Sequence, residues 1–375
     1  MKFIIKKDYF LKGLLSVTKI IQIKAINPIL SNIKLDLTLD GLSLTGSNGE
    51  LSIMTTIPFF DDSKEIIRDY SKGATLINAF LITEIVKRLS GNEISFELLD
   101  DSIAKIECDK SLFKLNSIRA EEYLDLSFDK IGAKINLTTE LFNDIVNQVA
   151  FAASIKDNRP SLTAVNLESD TSRLLFTATD TARLARKEVD IQTKERINAN
   201  IPSKTVMEVQ RSITTEKDIN MYISDKKVLF CLKNMYISSS LKSGEYPNTK
   251  NIIPSNFFYT LEVNGNELIS AMDVVSLLSQ EKDNVVKLSM NSNKVEVSSK
   301  SQQNGTGSVL IENFSFKSSN ERLDISFNYE FVKSAIKALK SDDVVISFIG
   351  EIRPFTITTK NDPSVIHLIT PYRTY

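Results

Sequence analysis

The chain offers few of the side chains that catalyse reactions or bind metal ions. Its 375 residues include one histidine, His367, and two cysteines, Cys108 and Cys231, which lie far apart in the sequence. Metal and nucleophilic chemistry usually needs His, Cys or carboxylate side chains in a cluster. His367 lies in an alternating, strand-like segment, where we expect a structural role. The sequence therefore predicts no metal site and no histidine-based active site, and it predicts two buried, reduced thiols rather than a disulfide.

Two pairs of adjacent carboxylates, Asp100–Asp101 and Asp342–Asp343, are the remaining candidates for acid–base chemistry. Both pairs lie in predicted helix-to-strand turns, and Asp is common in turns because its side chain bonds to the nearby backbone. The chain has neither the G-x-x-x-x-G-K-S/T pattern nor the G-x-G-x-x-G pattern that holds nucleotide phosphates. We therefore expect no catalytic residues and no cofactor, which favours a binding or scaffolding protein.

The composition is that of a globular protein, with 42% hydrophobic and 25% charged residues. No apolar run approaches the roughly 18 residues that span a bilayer, and the charged segment Met1–Asp8 differs from a signal peptide. With 46 basic and 47 acidic residues, the total charge indicates no attraction to nucleic acid. We expect a cytoplasmic protein that does not contact membranes and that has two or three domains, since a domain usually holds about 100 to 150 residues.

The most informative feature is an internal repeat with a spacing of about one third of the chain, a domain-sized period. Segments that begin at Ile4, Ile135 and Leu261 each contain a strand, a polar residue and an amphipathic helix. Thr138 and Asn264 precede the second and third helices as predicted N-caps. The residues at helical spacing that we expect to be buried are Leu11, Leu15 and Thr18, then Leu141, Ile145 and Val149, then Leu268, Met272 and Val275.

The second half of each repeat aligns without a gap and predicts another amphipathic helix, since Ile82, Val206 and Val332 occupy one aligned apolar position. Strands and polar turns follow each helix, as in residues 219–223, the turn 224–227 and residues 228–232. Two helices and antiparallel hairpins in each repeat predict an α+β fold with the helices packed on one face of the sheets. We place three structurally similar domains at residues 1–129, 130–254 and 255–375.

Basic residues recur on these helices. Lys87, Arg211 and Lys337 share one aligned position in the three second-half helices. Further basic residues at helical spacing are Lys333 and Lys340 in the third repeat and Lys12 and Lys19 in the first. Helices that line a common surface in this way would bind DNA phosphates without reading the bases. The alternative is that these side chains are simply the solvated faces of amphipathic helices.

Particular segments resemble one family, the beta subunit of bacterial DNA polymerase III, which is the bacterial sliding clamp. The segments that carry this resemblance are Met1–Phe3, Asn27–Asn32, Leu42–Asn48, Thr177–Leu184, Gly244–Pro247 and Thr370–Arg373. Their order and spacing follow the three repeats over essentially the whole chain. The resemblance implies a head-to-tail homodimer in which six similar domains close into a ring, with helices inside and sheets outside.

The resemblance also implies which residues meet a second subunit and DNA. The family's dimer contact matches Leu277 and Leu278, which would face first-domain strand residues matched by Phe113 and Leu115. Without the family, the alternative interpretation of Leu277 and Leu278 is that they are core residues. The cations that match the family's DNA-approaching loops are Lys24 and Arg159. Either of these is otherwise ordinary surface charge.

The family binds short extended peptides, usually a Gln followed by apolar residues, in a groove between its second and third domains. Matching positions here are Leu162, Thr179, Thr181, Arg183, Leu184, Pro247, Ile252, Ile352, Pro354, Leu368, Thr370, Pro371, Tyr372 and Arg373. An apolar pocket with polar edges suits a peptide that is anchored by a few side chains. The chain departs from the family at Thr181-Ala182, where Gly-His is usual, at Thr370, where an apolar residue is usual, and at Tyr375, which extends past the usual end.

The function that the resemblance implies is that of a non-catalytic DNA sliding clamp for the replicative polymerase. The expected partners are duplex DNA, bound without sequence preference, and a second copy of the chain. The replicative polymerase subunit, the clamp loader and repair factors would dock through short peptide motifs. From the residues alone two alternatives stay open: a carboxylate-based hydrolase or nuclease, and a monomeric β-rich interaction scaffold that does not bind DNA.

Overall fold

The structure is a computed structural model that describes residues 1–279, 284–318 and 322–373, so Tyr375 lies outside the described residues. The chain divides into two compact units. The first unit contains residues 1–139 and 208–241, and the second contains residues 140–207 together with those from 242 onward. The domain boundaries predicted from the sequence repeat stay a prediction.

Within the described residues there are six α-helices, two for each predicted repeat. They are α1 (Lys7–Thr18), α2 (Ala79–Arg88), α3 (Thr139–Val149), α4 (Ser203–Ser212), α5 (Gly265–Ser276) and α6 (Tyr329–Leu339). The Asn264 side chain accepts hydrogen bonds from the first backbone N–H groups of α5, which confirms this predicted cap. Asn78 and Asn328 cap α2 and α6 in the same way.

The strands of the first repeat are short and mostly paired into hairpins. They are β1 (Lys2–Lys6), β2 (Asn32–Leu37), β3 (Leu42–Ser47), β4 (Leu51–Ile57), β5 (Phe60–Asp61), β6 (Lys64–Glu65), β7 (Ile67–Ser71), β8 (Gly73–Asn78), β9 (Glu93–Leu99), β10 (Ile103–Cys108) and β11 (Ser111–Arg119).

The strands of the second and third repeats follow a similar order along the chain. In the second they are β12 (Ala133–Thr138), β13 (Ala164–Ser169), β14 (Leu174–Thr179), β15 (Arg183–Val189), β16 (Ile197–Pro202), β17 (Asp218–Ile223), β18 (Lys227–Cys231) and β19 (Met235–Ser240). In the third they are β20 (Tyr259–Asn264), β21 (Val285–Asn291), β22 (Lys294–Ser301), β23 (Gly305–Ile311), β24 (Phe314–Ser318), β25 (Arg322–Asn328), β26 (Asp343–Phe348), β27 (Phe355–Thr358) and β28 (Val365–Ile369). The predicted hairpin of β17 and β18 is confirmed.

A sheet of 13 strands runs through the first unit in the order β12-β17-β18-β19-β4-β3-β2-β8-β11-β10-β9-β1-β7, and β5 pairs with β6. Neighbouring strands are antiparallel. Strand alternation buries Phe3 and Phe96, whose rings stack with centroids 4.8 Å apart. Phe10 of α1 meets Phe3 edge-on at 6.0 Å, so the helix covers one face of the sheet.

The second unit contains two antiparallel sheets. One has nine strands in the order β16-β13-β14-β15-β28-β27-β26-β20-β24, and the other has four in the order β23-β22-β21-β25. Helices α5 and α6 contribute Leu268, Met272 and Ile336 to a core that also contains Phe327 and Phe355. The α+β class predicted from the repeat is therefore confirmed, with hairpin sheets and helices that bury one face.

The predicted buried face of α1 is partly wrong, since Thr18 is buried and Leu11 half-buried but Leu15 is not. Leu15 of α1 is 48% exposed, because Phe10, Leu14 and Val17 form the buried stripe instead. Both sets of residues have helical spacing, so periodicity alone did not separate them. The larger aromatic side chain of Phe10 packs into the sheet, which fixes the rotation of α1 about its axis.

The cysteines and the carboxylate pair at Asp100–Asp101 differ in part from expectation. Both cysteines are free, but only Cys108 is buried and Cys231 is partly exposed. Asp100 and Asp101 connect the strands β9 and β10 rather than a helix and a strand, with φ of 47° and 54°. Asp tolerates this left-handed conformation better than most residues, which explains the pair as turn residues.

Candidate binding sites

Strands β15 and β28 bring two distant parts of the chain together in the second unit. Arg183 lies opposite Ile369 and Leu184 lies opposite Leu368 in this antiparallel pair. Beyond the strand end, the Thr370 N–H donates to the Ala182 carbonyl at 2.9 Å. Six of the predicted groove positions, from Thr179 to Leu184 and from Leu368 to Thr370, therefore meet at one place in the nine-stranded sheet.

The turn that leads into β15 is held by its own side chains. The Thr179 hydroxyl donates to the Arg183 carbonyl at 2.6 Å and accepts from the Thr181 N–H at 3.0 Å. One Asp180 carboxylate oxygen accepts from the Ala182 and Arg183 N–H groups, both at 3.0 Å. Thr181 has φ of 78°, a left-handed conformation that is costly for a β-branched residue. The position where the family often has Gly is thus one that requires a positive φ.

Arg183 is fixed from three sides. Its guanidinium lies 4.6 Å from the ring centroid of Phe331 and 5.4 Å from that of Phe151. Its Nε donates to the Asp180 carboxylate at 3.0 Å. A cation stacked on aromatic faces and paired with a carboxylate holds one orientation. The sequence did not predict that Phe151 and Phe331 contact Arg183. Phe331 could be placed on a helix from the repeat, but that pattern does not indicate its neighbour.

The 14 predicted groove positions divide by burial into a buried group, which we call the floor, and a more exposed group, which we call the rim. Leu162, Leu184 and Leu368 are almost fully buried, as are Thr179 and Pro371. The exposed positions are Thr181, Ile252, Ile352, Thr370, Tyr372 and Arg373, and the half-buried ones are Arg183, Pro247 and Pro354. Ile352 is 60% exposed and Ile252 is 46% exposed, so both apolar side chains are accessible to a partner. We call these 14 residues the docking groove.

His367 lies directly behind the docking groove and is fully buried. Its Nδ1 is 3.1 Å from the Ala335 carbonyl of α6, and its Nε2 is 2.8 Å from the Gln148 carbonyl of α3. Burial lowers the pKa of this imidazole to about 4. The ring of Phe151 packs edge-on against it at 5.2 Å. His367 therefore joins two helices to β28, which is the structural role that the sequence predicts.

A buried ion pair supports the same strands. Lys187 of β15 is only 5% exposed, and its Nζ lies 2.9 Å from the Asp362 carboxylate. Burial works against the ionised Asp362, but hydrogen bonds from Ser364 and Lys187 outweigh it and hold the pKa of the carboxyl below its usual value. Removing one partner would leave the other charge uncompensated, so single substitutions at this pair are expected to destabilise the arrangement of β15.

The recurring cations are exposed, but several are paired with acids on the same or a neighbouring helix. Lys87 lies 3.8 Å from Glu84, and Arg211 lies 3.9 Å from Glu208, each one turn earlier. Lys19, directly after α1, contacts Glu208 at 2.6 Å. The first two pairs occupy aligned positions, so α2 and α4 each carry a glutamate three residues before the recurring basic residue.

Other predicted DNA-facing cations are also paired. Lys333 contacts Asp273 at 2.6 Å, and Arg159 contacts Asp157 at 3.3 Å. Backbone and side-chain hydrogen bonds from Arg159 lower the pKa of Asp157. Among the residues that the structure describes, the predicted cations without an acidic partner within 4.0 Å are Lys12, Lys24 and Lys337. These three carry the least compensated charge.

The four predicted dimer residues lie at two strand edges. Residues 111–116 of β11 pair with β10, whereas only residues 117–119 pair with β8 on the other side. Phe113 is partly exposed on that open part of β11, and Leu115 is buried. In the second unit, Leu277 is 80% exposed at the end of α5, so it is not a core residue of the subunit. Leu278 packs over Gly307 of β23, an edge strand.

The part of the chain that the structure describes holds no group of three or more His, Cys, Asp or Glu side chains that could bind a metal ion. None of its described helices is long and apolar enough to cross a membrane.

Three family models match the chain, and together they span most of it. They describe the N-terminal, central and C-terminal domains of the DNA polymerase III beta subunit and match residues 1–127, 136–248 and 250–373. A protein of Bacillus subtilis named beta sliding clamp is 35% identical over 380 residues, with both chains fully covered. One of Staphylococcus epidermidis with the same name is 34% identical over 378 residues, also with full coverage.

Solved structures agree over the full length of the chain. The crystal structure of the DNA polymerase sliding clamp from Bacillus subtilis has a TM-score of 0.95 at 34% identity, and both chains are fully covered. That of the DNA polymerase III beta chain from Streptococcus pneumoniae has a TM-score of 0.93 at 30% identity, again with full coverage.

Proposed function

Because the chain belongs to the bacterial DNA polymerase III beta subunit family, the beta sliding clamps, we propose that it encircles duplex DNA as a head-to-tail dimer and tethers its partners through the docking groove. It is a DNA sliding clamp and a non-catalytic processivity factor, with the three-domain clamp fold. DNA, a polymerase and a second copy of the chain are its partners. The finer statements below concern how its residues serve that role.

The pairing of β15 with β28, which brings six of the docking-groove positions together, is the observation that supports the proposed tethering. Its buried floor residues Leu162, Leu184 and Leu368 and its exposed rim residues Ile252, Ile352 and Tyr372 would together offer anchor sites for a few apolar side chains of a peptide. Arg183 and the polar turn at Thr179 lie beside that floor with fixed geometry. Short peptide motifs of the polymerase, the clamp loader and repair factors would occupy this one groove in turn.

The cationic helix faces support sequence-independent contact with DNA. A protein that moves along DNA needs contacts to phosphates that are individually weak. Ion pairs such as Lys19–Glu208 and Arg211–Glu208 reduce the net charge that each helix presents. Lys12, Lys24 and Lys337 would supply most of the remaining attraction, so replacing these three by Gln should weaken DNA binding and its salt dependence most.

The proposed dimer joins the open part of β11 in one subunit to β23 and the end of α5 in the other. Both regions combine a strand edge with exposed apolar side chains, including Phe113 and Leu277. Changing Leu277 and Leu278 to Ala should give folded monomers in light scattering, because truncating a buried apolar side chain costs about 2 to 5 kcal/mol. Leu39, which is exposed in a hairpin turn, offers a control for Ala substitution at the surface. A double variant that stays dimeric would contradict this interface.

Two further statements belong to the proposal. We place domain boundaries at 129/130 and 254/255, and the ends of the three family matches, which lie within a few residues of these positions or of the linkers beside them, support that placement. We also place the protein in the cytoplasm, because its DNA and polymerase partners act there.

The test of the ring is retention on circular against linearised DNA after loading by the cognate ATP-driven loader. A topologically linked clamp stays on the circle and slides off the cut molecule. Equal retention on both substrates would contradict the ring. A groove variant, Ile252→Ser with Ile352→Ser, should still be retained on the circle once loaded but should fail to hold the polymerase there.

A further inference from the structure

A second cavity lies on the four-stranded sheet of the second unit, next to the docking groove. It has a volume of about 740 Å³ and is lined by residues of β21, β22, β23 and β25 together with Tyr372. Ser308, Ser298, Lys287 and Ser326 form one row across these four strands, since each is paired with the next in the ladder. We call this cavity the serine cavity.

The lining of the serine cavity suits an anionic or strongly hydrogen-bonding ligand. Hydroxyl side chains predominate among its described residues, which include two lysines and no aspartate or glutamate. Lys287 shares its charge with Asp324, at 3.1 Å, but Asp324 does not line the cavity. Within the described residues, Lys300 has no acidic partner within 4.0 Å. The cavity therefore offers one uncompensated cation among donors that can orient a carboxylate.

Tyr372 connects the serine cavity to the docking groove. Its backbone N–H donates to the Ser326 carbonyl at 2.7 Å, which fixes the C-terminal segment against β25. Tyr372 thus belongs to the groove rim and to the cavity lining at the same time. An extended peptide whose apolar residues fill the groove would pass Tyr372 and place its next residues over the cavity.

We propose that the serine cavity binds aspartate or glutamate side chains in the segment that flanks the apolar docking motif of a partner peptide. This inference rests on the docking groove proposed above. Its physical basis is charge complementarity at Lys300, together with the hydroxyl of Ser298, next to a site that already holds the peptide by its apolar residues. The flanking acids would thus distinguish among partners whose apolar motifs are alike.

The experiment compares fluorescently labelled peptides that share one core, a Gln followed by apolar residues. One set carries Asp and Glu on one flank or the other, and the matched set carries Ser at the same positions. We expect the acidic flank on the side that reaches the cavity to increase affinity about threefold at low ionic strength, which is typical of one partly solvated charge contact, and to lose that gain at high salt. The dimeric full-length protein is used throughout.

Lys300→Gln tests the site, and Lys294→Gln is the matched control, because both lysines are exposed on the same strand and Lys294 lies outside the cavity. The gain should vanish in the first variant and persist in the second. If acidic flanks bind no tighter than serine flanks, or if the gain survives Lys300→Gln, the serine cavity is not the site and the docking groove stands. If the core peptide itself fails to bind, the groove proposal fails and this inference fails with it.

Discussion

The pairing of β4 with β19 in the first unit and that of β15 with β28 in the second use the same scaffold. The Ser240 N–H donates to the Glu50 carbonyl at 3.0 Å in the first pairing, and the Thr370 N–H donates to the Ala182 carbonyl at 2.9 Å in the second. The preceding turns also match, since Asn48 accepts two backbone N–H bonds just as Asp180 does. Two regions of one chain therefore share backbone geometry down to single hydrogen bonds.

The side chains on this scaffold differ. Where the second region pairs Leu184 with Leu368, the first pairs Ser52 with Ser238. The Ser52 hydroxyl donates to the Ser47 hydroxyl at 2.9 Å, so the polar side chains of the first region are hydrogen-bonded to each other. The scaffold alone does not make a docking groove, because an apolar floor is needed for apolar anchors. Exchanging residues between the two regions tests this conclusion directly.

The largest expected effect comes from placing the serine of the first region into the second. Leu368→Ser should lower the free energy of unfolding by about 2 to 5 kcal/mol, since it leaves a cavity and a buried hydroxyl beside Leu184. Urea unfolding measures the change. Ser238→Ala in the first region is the control and should change stability by less than about 1 kcal/mol. Equal effects of the two substitutions would mean that the floor contributes no special packing.

The second effect depends on pH. The position of His367 is occupied by Ile237 in the first region, as the two ladders show. The pKa of His367 is lowered to about 4 in the folded protein, from 6.5. The unfolded chain therefore takes up the proton first, so the stability that neutral His367 contributes is complete above pH 6.5 and is lost as the pH falls toward 4.

His367→Ile should remove this part of the pH dependence, which amounts to as much as about 3 kcal/mol at 1.36 kcal/mol per pKa unit. Unfolding midpoints of the variant and the unmodified protein, measured from pH 7 to pH 4, give the difference directly. Parallel curves over that window would show that burial of His367 does not control its protonation.

The third effect concerns peptide binding at the rim. Ile252→Ser with Ile352→Ser should weaken a Gln-plus-apolar peptide at least tenfold, or about 1.4 kcal/mol, without changing stability, because both side chains are exposed in the free subunit. Leu39→Ser in the first unit is a matched exposed control. Fluorescence anisotropy measures the affinities, and an unchanged affinity in the double variant would place the peptide elsewhere.

The smallest effect concerns one backbone conformation. Gly49 in the first region has φ of 94°, and Thr181 at the same turn position in the second has φ of 78°. Thr181→Gly should therefore stabilise the protein by about 1 kcal/mol, and Gly49→Thr should destabilise it by a similar amount. Thermal unfolding of both variants checks the opposite signs; a loss of stability on Thr181→Gly would mean that the Thr181 side chain contributes more than its backbone costs.

Local patterns were sufficient for much of the fold. Alternation and polar turns predicted the hairpin of β17 and β18, and one Asn predicted the start of α5, because these features depend on neighbours in sequence. The rotation of α1 was not predictable in this way, since two apolar stripes compete and only the sheet below selects Phe10 over Leu15.

The candidate sites depended more on distant contacts. The aligned cations were found from the repeat, but the pairing of Lys19 with Glu208 joins residues far apart in sequence and leaves no local signal. The same holds for Arg183, whose two aromatic neighbours come from the end of α3 and the start of α6. The family resemblance supplied positions for the docking groove, and it did not supply these contacts.

Residues 111–116 of β11 pair with a strand on one side only, which leaves an exposed sheet edge in the isolated subunit. The unpaired backbone groups next to exposed Leu112 and Phe113 can pair with an extended chain of the proposed dimer partner or of an unrelated protein. The monomer therefore exposes an edge through which it can aggregate, whereas the dimer covers that edge. Conditions that dissociate the dimer should increase the fraction of protein that aggregates. Substitutions that raise the affinity of the dimer interface should then also improve solubility.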